Sequence, residues 1–415
     1  MVRHQVAGAL LGGVLSLALA CSGCDSTSGS AATSGAPATA AAAGSARPAA
    51  TQASPSPSPQ AGQPLSCAAR VFSRMTMAQR AGQLFAVGIA TSPGSEAARA
   101  VRTYHFGSLL VGTTTTASRA ELRQVTAADQ ALASAAATAQ VRFFIAADQE
   151  GGEVQRLRGA GFAAIPSAVT QGELAPATLQ QEAAGWGSEL KQAGVNLDLA
   201  PVMDVVPPGT AGRNQPIGAL RREFGSDPQT VASHGVAFLR GLQQAGVAAT
   251  AKHFPGLGRA TGNTDFTAGV VDPVTAPGDP YLGSFQAAID AGVPFVMVSL
   301  ASYPRIDPRH LAVFSSRTMR TLLRTRMHFG GVIISDDMGA AAAVASLSPA
   351  ARAVSFLSAG GDMILSESLP AAAAMDAAVV AKMKRDPAFR SVADSAVMHI
   401  LVAKQAYGLL PCTPG

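Results

Sequence analysis

The chain has 415 residues, of which 48% are hydrophobic, 14% charged and 5% aromatic, so it can bury a substantial core. Lysine and arginine outnumber aspartate and glutamate by 31 to 26, which gives a formal net charge of +5. This excess forms no basic run, and we therefore expect no nucleic-acid partner. Four cysteines are too few for a disulfide-rich scaffold, and no Cys-x-x-Cys of zinc type pairs with a second one.

The first twenty residues are typical of a secretory signal peptide. A short positive head precedes an apolar, small-residue run over 6–20, which is too short to be a secure membrane span. This run ends directly before Cys21 and resembles the lipobox of bacterial lipoproteins, so we expect Cys21 to be lipidated. Cys24 is a second candidate, and an ordinary signal peptide or a core cysteine is the alternative. We expect the protein to be attached to the outer side of the cell membrane by its lipid anchor only, or else to be secreted.

The segment 21–64 is predicted to be a disordered tether. From about 26 to 64 it consists almost entirely of Ser, Ala, Gly, Thr, Pro and Gln, with Arg47 as its only charge. Such a composition cannot bury enough apolar surface to order itself. The remaining two cysteines, Cys67 and Cys412, bracket the globular part over 65–415, and outside the cytoplasm we expect them to form a disulfide. Two free thiols are the alternative.

From residue 65 onward, short apolar runs alternate with Ala-rich amphipathic segments that are typical of helices. The predicted strands are 83–89, 107–112, 142–147, 195–200, 248–254, 295–299, 331–335 and 362–365. Continuous apolar strands that alternate with helices predict an α/β fold with a parallel sheet. Eight such units in about 350 residues favour a single (β/α)8 TIM barrel, with no second domain after the last strand. An open doubly wound sheet is the alternative, although no Gly-x-Gly-x-x-Gly motif opens a helix after the first strand.

Polar side chains cluster where several predicted strands end. They are Asp148 and Glu150 after the third strand, Asp198 and Asp204 at the fourth, Lys252 and His253 in the fifth, and Asp336 and Asp337 after the seventh. In a barrel these ends surround one mouth, where carboxylates can serve as acid, base, nucleophile or metal ligands. Taken singly, each has an alternative interpretation as a helix cap or a turn residue. Together, they favour an active site.

Five motifs then follow one another along the barrel. They are DQEGGEVQR at 148–156, NLDLAPVMD at 196–204, REFGSD at 222–227, KHFPG at 252–256 and ISDDM at 334–338. In order and spacing they resemble the bacterial β-N-acetylhexosaminidases of glycoside hydrolase family 3, and the resemblance covers about residues 77–369. It implies a retaining, two-step hydrolysis that releases N-acetylglucosamine from non-reducing ends.

The resemblance implies that Asp336 is the nucleophile. A carboxylate suits this role because it can form a covalent glycosyl-enzyme and then leave when water attacks. A helix N-cap is the alternative interpretation of Asp336, and Asp337 is expected to support the loop. The family's sugar-binding positions fall on Asp148, Arg156, Arg222, Lys252 and His253. Lys252 and His253 would point to opposite faces of a regular strand, so one of them could be structural unless the strand end bulges.

One loop departs from the family. In the hexosaminidases the KHFPG segment leads to Asp-Ser-His, whose Asp–His pair is the general acid/base. Here Asn263 stands in place of that aspartate and Asp265 in place of that histidine, and no histidine lies between His253 and His310. Three accounts compete: Asp265 is itself the acid/base, with Asn263 orienting it or binding sugar; another group supplies the proton, or good leaving groups are required; or the domain binds sugar without cleaving it well.

We therefore predict an exported, lipid-anchored β-N-acetylhexosaminidase that acts on N-acetylglucosamine-containing cell-wall fragments or chitin-like oligomers. No metal or organic cofactor is expected, because the strand-end acids have sugar and nucleophile roles and lack metal-ligand spacing. A monomer is expected. The alternatives are a β-glucosidase of the same family and a sugar-binding lipoprotein that is non-catalytic or weakly active.

Overall fold

The computed structural model describes residues 65–90 and 94–412, in which short strands alternate with helices. The strands are β1 (Phe85–Gly88), β2 (Ser108–Val111), β3 (Phe144–Ala147), β4 (Gln149–Gly151), β5 (Val154–Gln155), β6 (Leu197–Asp198), β7 (Thr250–Phe254), β8 (Phe295–Val298), β9 (Val332–Ser335) and β10 (Ile364–Ser366). The α-helices are α1 (Cys67–Arg74), α2 (Met77–Gln83), α3 (Ser95–Tyr104), α4 (Arg119–Gln130), α5 (Ala135–Thr138), α6 (Ala168–Gln171), α7 (Pro176–Gln192), α8 (Pro228–Gln244), α9 (Leu282–Asp290), α10 (Pro349–Ala359), α11 (Leu369–Arg385) and α12 (Pro387–Ala406). A π-helix spans Arg317–Arg326, and short 3-10 helices span Ala211–Arg213, Gly218–Leu220, Ala312–Phe314 and Ala342–Val344.

Local sequence explains where many of these elements begin. Thr76 and Ser118 each form a capping box, in which the hydroxyl accepts a backbone amide and the residue three positions on returns a bond, so α2 and α4 start there. Asp227 caps α8 by accepting the backbone amides of Gln229 and Thr230, and Pro228 occupies the first helical position, where its missing amide hydrogen is not needed. The strand β8 and the first three residues of β9 are apolar, and both strands are buried along their whole length, as expected for strands covered on both faces.

Eight of the strands form two parallel sheets. One has the order β10-β1-β2-β3-β6 and the other the order β7-β8-β9. Single parallel bridges also pair Leu197 with Ala248 and Ile334 with Met363. Each predicted strand overlaps one of the eight, so the predicted α/β fold with parallel strands is confirmed. The sequence missed the small antiparallel hairpin β4–β5, and it was wrong at Gln83, which ends α2 instead of beginning a strand.

The two ends of the described chain are tied together. Cys67, the first residue of α1, forms a disulfide with Cys412, and their Cα atoms are 6.1 Å apart. The predicted bridge is therefore present, and it closes a loop with a sequence separation of 345 residues. The helix α12, which runs up to this end, packs against α1, α2 and α11.

The predicted signal peptide 1–20, the lipidation site at Cys21 or Cys24, and the tether 21–64 lie outside the described residues. Within the described ranges, no helix combines the length and the apolar character needed to cross a membrane.

A buried lysine lies away from the strand ends discussed below. Lys404 in α12 is fully buried, and its Nζ donates hydrogen bonds to Gln83 Oε1 at 2.8 Å and to the carbonyl oxygen of Gly107 at 2.6 Å. Burial lowers the pKa of Lys404 to about 7. Because both partners are neutral, this lysine balances no buried carboxylate.

Candidate active site

Five of the polar residues at the strand ends line one cavity of about 410 Å³, namely Asp148, Lys252, His253, Asp336 and Asp337. All eight side chains that the sequence predicted for catalysis or sugar binding contribute to its wall, namely Asp148, Arg156, Arg222, Lys252, His253, Asn263, Asp265 and Asp336. They come from segments separated by up to almost two hundred residues, and the parallel arrangement of the strands brings them to the same cavity. A volume of this size is in the range of small-molecule sites, which is roughly 300–1,000 Å³.

One part of the wall is a network of alternating charges. Arg222 donates two hydrogen bonds to Glu150, from Nε at 2.8 Å and from Nη2 at 2.7 Å. The Lys252 Nζ lies 2.5 Å from Glu150 Oε1 and 2.6 Å from Asp148 Oδ1, while Arg156 approaches Asp148 at 3.9 Å. Burial alone would raise the pKa of Glu150, but Arg222 and Lys252 hold it at about 2. Glu150 is therefore ionised at neutral pH and fixes both cations at the cavity.

The same ion pairs keep Lys252 charged. Burial by itself would lower the pKa of this ammonium group, but the carboxylates of Asp148 and Glu150 raise it above its usual value. The site thus offers a sugar a fixed cation and a carboxylate whose remaining oxygen can accept hydroxyl hydrogen bonds.

His253 is oriented by a buried aspartate. Its Nδ1 lies 2.8 Å from Asp204 Oδ2, and its Nε2 lies 3.4 Å from Arg222 Nη2. A guanidinium can only donate, so in this arrangement Nε2 accepts and Nδ1 carries the hydrogen that Asp204 accepts. Asp204 is itself held by the backbone amide of Leu257 at 2.7 Å. The imidazole is therefore fixed in one orientation at the cavity wall.

Lys252 and His253 both reach the cavity although they are neighbours on β7. A regular strand would send them to opposite faces. Here the register between β7 and β8 shifts between Ala251 and Phe254. The strand end is therefore irregular. From the sequence, both side chains are expected to line the site only if the strand end bulges.

Asp336 follows β9 directly and points into the cavity. Its backbone amide donates to the carbonyl oxygen of Val298 at 3.1 Å, and its Oδ1 accepts the amide of Asp337 at 2.8 Å. Burial raises the pKa of Asp336 to about 6, with His253 opposing the rise and the negative charge of Asp265 adding to it. The carboxylate is thus ionised at neutral pH and retains an oxygen for chemistry.

Asp337 has the supporting role that the sequence predicted. Its carboxylate accepts the backbone amides of Gly339 and Ala340, both at 2.8 Å, and that of Glu367 at 2.9 Å. The residues after Asp336 form a turn and not a helix, and it is Asp337 that caps this turn. The alternative interpretation of Asp336 as a helix N-cap therefore does not fit the structure.

The loop that departs from the hexosaminidase pattern also lies at this cavity. Asn263 Oδ1 accepts the backbone amide of Asp265 at 2.9 Å, so the asparagine shapes the turn that carries the carboxylate. The amides of Ala342 and Ala343 donate to the carbonyl oxygens of Asp265 and Thr264, both at 3.0 Å. The loop is thus fastened to the segment that follows Asp336, and Asp265 and Asp336 face the same space.

Comparison with known families identifies the domain. The sequence model of the Glycosyl hydrolase family 3 N terminal domain matches residues 76–401. The chain belongs to glycosyl hydrolase family 3. The resemblance inferred from the five motifs is confirmed.

Several relatives of this family 3 domain are named as hexosaminidases or as an N-acetylglucosaminidase. A "Beta-hexosaminidase" of Stenotrophomonas maltophilia is 37% identical over 258 residues, which span 59% of this chain and 72% of that protein. A solved β-N-acetylhexosaminidase from Beutenbergia cavernae is 46% identical with a TM-score of 0.78, covering 80% of this chain and 99% of that one. A β-N-acetylglucosaminidase of family 3 from Paenibacillus is 28% identical with a TM-score of 0.74, covering 82% and 64%.

Three carboxylates of the family 3 site were given no individual role by sequence reasoning. Glu150 and Asp204 stand inside the quoted motifs, but only their spatial neighbours show that they fix the cations and the imidazole. Glu367 directly follows β10 and lines the cavity. Burial together with the charges of Asp337 and Asp148 raises the pKa of Glu367 to about 7. The rule that polar residues after strand ends face the site would have found it, had it been applied to the eighth strand.

Within residues 65–90 and 94–412, no group of three or more His, Cys, Asp and Glu side chains is arranged to hold a metal ion.

Proposed function

We propose that this chain is a retaining β-N-acetylhexosaminidase that releases N-acetylglucosamine from the non-reducing ends of cell-wall-derived or chitin-like glycans. The proposal rests on one observation: Asp336 lies in the same cavity as the expected sugar-binding residues around Lys252. The names of the relatives support the choice of an N-acetylated sugar as substrate.

In the proposed first step, an oxygen of Asp336 attacks the anomeric carbon and the bond to the leaving oxygen breaks. The carboxyl group of Asp265 gives its proton to that oxygen, so the leaving glycan departs as an alcohol. In the second step Asp265 takes a proton from water, and the resulting hydroxide displaces Asp336 from the sugar. Two inversions at the same carbon retain the β configuration.

Asp148, Arg156, Arg222, Lys252 and His253 are proposed to hold the sugar that is transferred. Their mutual ion pairs and hydrogen bonds fix them before substrate arrives, so little reorganisation is needed when the transition state forms. Asn263 is proposed to orient Asp265, which its hydrogen bond to the Asp265 amide supports.

The finer architecture and the location are also proposals. We infer a closed (β/α)8 barrel, which the bridges Leu197–Ala248 and Ile334–Met363 support because they lie between the two sheets on either side.

We infer an exported monomer that is lipidated at Cys21. The apolar run 6–20, the small residues before Cys21 and the disulfide Cys67–Cys412 support export.

The substrate proposal is tested by comparing two nitrophenyl glycosides. The chain is expected to release nitrophenol from the β-N-acetylglucosaminide at least about tenfold faster, as kcat/KM, than from the β-glucoside, since the substrates differ only in the group at C2. A preference for the glucoside would indicate a β-glucosidase. Sugar binding without release from either compound would indicate a non-catalytic protein.

If Asp265 is the acid/base, the loss of kcat/KM in Asp265→Asn should depend on the leaving group of the substrate. We expect kcat/KM for a disaccharide to fall roughly 100- to 10,000-fold, and that for a nitrophenyl glycoside to fall far less, because nitrophenolate departs without a proton. Glu367→Gln is the matched control, since it removes another carboxyl group of the same cavity. Full disaccharide activity of Asp265→Asn would show that another group donates the proton.

A further inference from the structure

The loop beside Asp265 presents an uncovered aromatic ring. Phe266 is 82% exposed, more than any other large apolar side chain in the described ranges. A single exposed apolar side chain is common on protein surfaces and needs no explanation by itself. Phe266, however, is also part of the cavity wall, together with Asp265 and Asp336.

The backbone under this ring is held in place. The amides of Phe266 and Thr267 donate to the carbonyl oxygen of Asn263 at 3.1 and 2.8 Å, which closes a tight turn. The neighbouring residue Asp265 is bonded through its carbonyl oxygen to the amide of Ala342. The turn therefore positions the phenyl ring next to the carboxyl group that is proposed to protonate the leaving oxygen.

The surroundings of Phe266 differ from the sugar-binding network. Two small apolar residues, Ala340 and Ala341, line the cavity on the segment that the loop is bonded to. Their side chains are small and offer no hydrogen bonds. The charged residues Asp148, Lys252 and Arg222, which are proposed to hold the transferred sugar, are instead paired with one another or with Glu150.

We propose that Phe266 is a stacking platform for the sugar on the leaving side of the scissile bond. This inference rests on the proposed function, because Asp265 must lie beside the glycosidic oxygen for its neighbour to face the next sugar. A β-linked hexosamine in its chair form presents axial C–H groups on each face, and such a face packs against an aromatic ring with little loss of hydration. The site would then favour substrates of two or more sugars over compounds that carry a small leaving group.

The test compares N,N′-diacetylchitobiose with the β-fluoride of N-acetylglucosamine, whose leaving group is one atom. The ratio of kcat/KM for the disaccharide to that for the fluoride is expected to fall about tenfold in Phe266→Ala, which is the effect of losing one good aromatic contact. Phe266→Tyr keeps an aromatic face and should keep the ratio. Val274→Ala, which shortens an exposed apolar side chain outside the cavity, is the matched control.

An unchanged ratio in Phe266→Ala would overturn the inference, even if kcat/KM fell equally for both substrates. If the full chain binds sugars without cleaving them, the proposed function fails, and the same comparison is made by calorimetry with the disaccharide and free N-acetylglucosamine. Phe266→Ala is then expected to weaken disaccharide binding selectively, and equal weakening of both would reject the platform.

Discussion

Asp336→Asn is expected to lower kcat/KM for the nitrophenyl N-acetylglucosaminide by roughly 10,000-fold or more, because an amide cannot form the covalent glycosyl-enzyme. The shape of the site should survive, since the side chain can still accept the amide of Asp337. Steady-state kinetics and a thermal unfolding curve of the purified variant separate loss of chemistry from loss of fold. The matched control is Asp337→Asn. It replaces the carboxylate that accepts three backbone amides, so it should lower stability and keep measurable activity.

A mechanism-based label gives a second check on the nucleophile. A 5-fluoro-N-acetylglucosaminyl fluoride slows the second step, so the covalent intermediate should accumulate and be found on the peptide that contains Asp336. Azide added to Asp336→Ala should restore turnover and produce the α-glycosyl azide, because a single displacement inverts the configuration. Label on Asp337, or a β product, would contradict the assignment.

The same carboxylate should set the acid side of the pH profile. Asp336 must be ionised to attack, and burial raises its pKa to about 6. As the pH falls through about 6, the protonated and unreactive form grows, so kcat/KM of the free enzyme should decrease there. An acid limb that begins only near the usual pKa of an exposed aspartate, about 4, would argue against a buried nucleophile.

Lys252→Met is expected to remove activity and to destabilise the fold by about 3–5 kcal/mol, the usual cost of breaking a buried ion pair from one side. Lys252 neutralises two carboxylates, and without it Asp148 loses its 2.6 Å partner while Glu150 keeps only Arg222. Methionine has a similar volume and leaves no cavity, so the loss reflects charge. Urea unfolding at neutral pH measures the change in the free energy of unfolding.

Lys404→Met is the matched control, because this lysine is also fully buried but donates only to the neutral oxygens of Gln83 and Gly107. Losing these bonds is expected to cost at most about 2 kcal/mol, partly offset because a buried ammonium is no longer required. Activity should persist, since Lys404 does not line the cavity. Equal destabilisation by Lys252→Met and Lys404→Met would mean that Asp148 and Glu150 do not need Lys252 to neutralise their charges.

Much of the fold was predictable because its signals are local. A run such as Phe295–Val298 is apolar at every position, which favours a strand buried on both faces, and its alternation with amphipathic helical segments favours parallel pairing. The motifs around Asp148, Lys252 and Asp336 indicated the family and the candidate site before any geometry was known. The position of Cys67 and Cys412 at the two ends of the globular part predicted their disulfide.

Other features depend on contacts between residues that are distant in the sequence. The irregular end of β7 turns both Lys252 and His253 toward the cavity, against the alternation expected of a strand. Asp204 orients His253 from 49 positions away, and the backbone around Asp265 is bonded to a segment more than seventy positions later.

The pattern of strands and helices, the family and the residue types at the site could all be read from the amino-acid sequence. Only the folded chain shows that Arg222 neutralises Glu150 and that Asp336 is buried at the cavity. It also shows that Phe266, next to Asp265, is exposed. The reason is physical: periodicity and local hydrogen bonding act over a few residues, whereas burial and charge pairing depend on distances set by the packed chain.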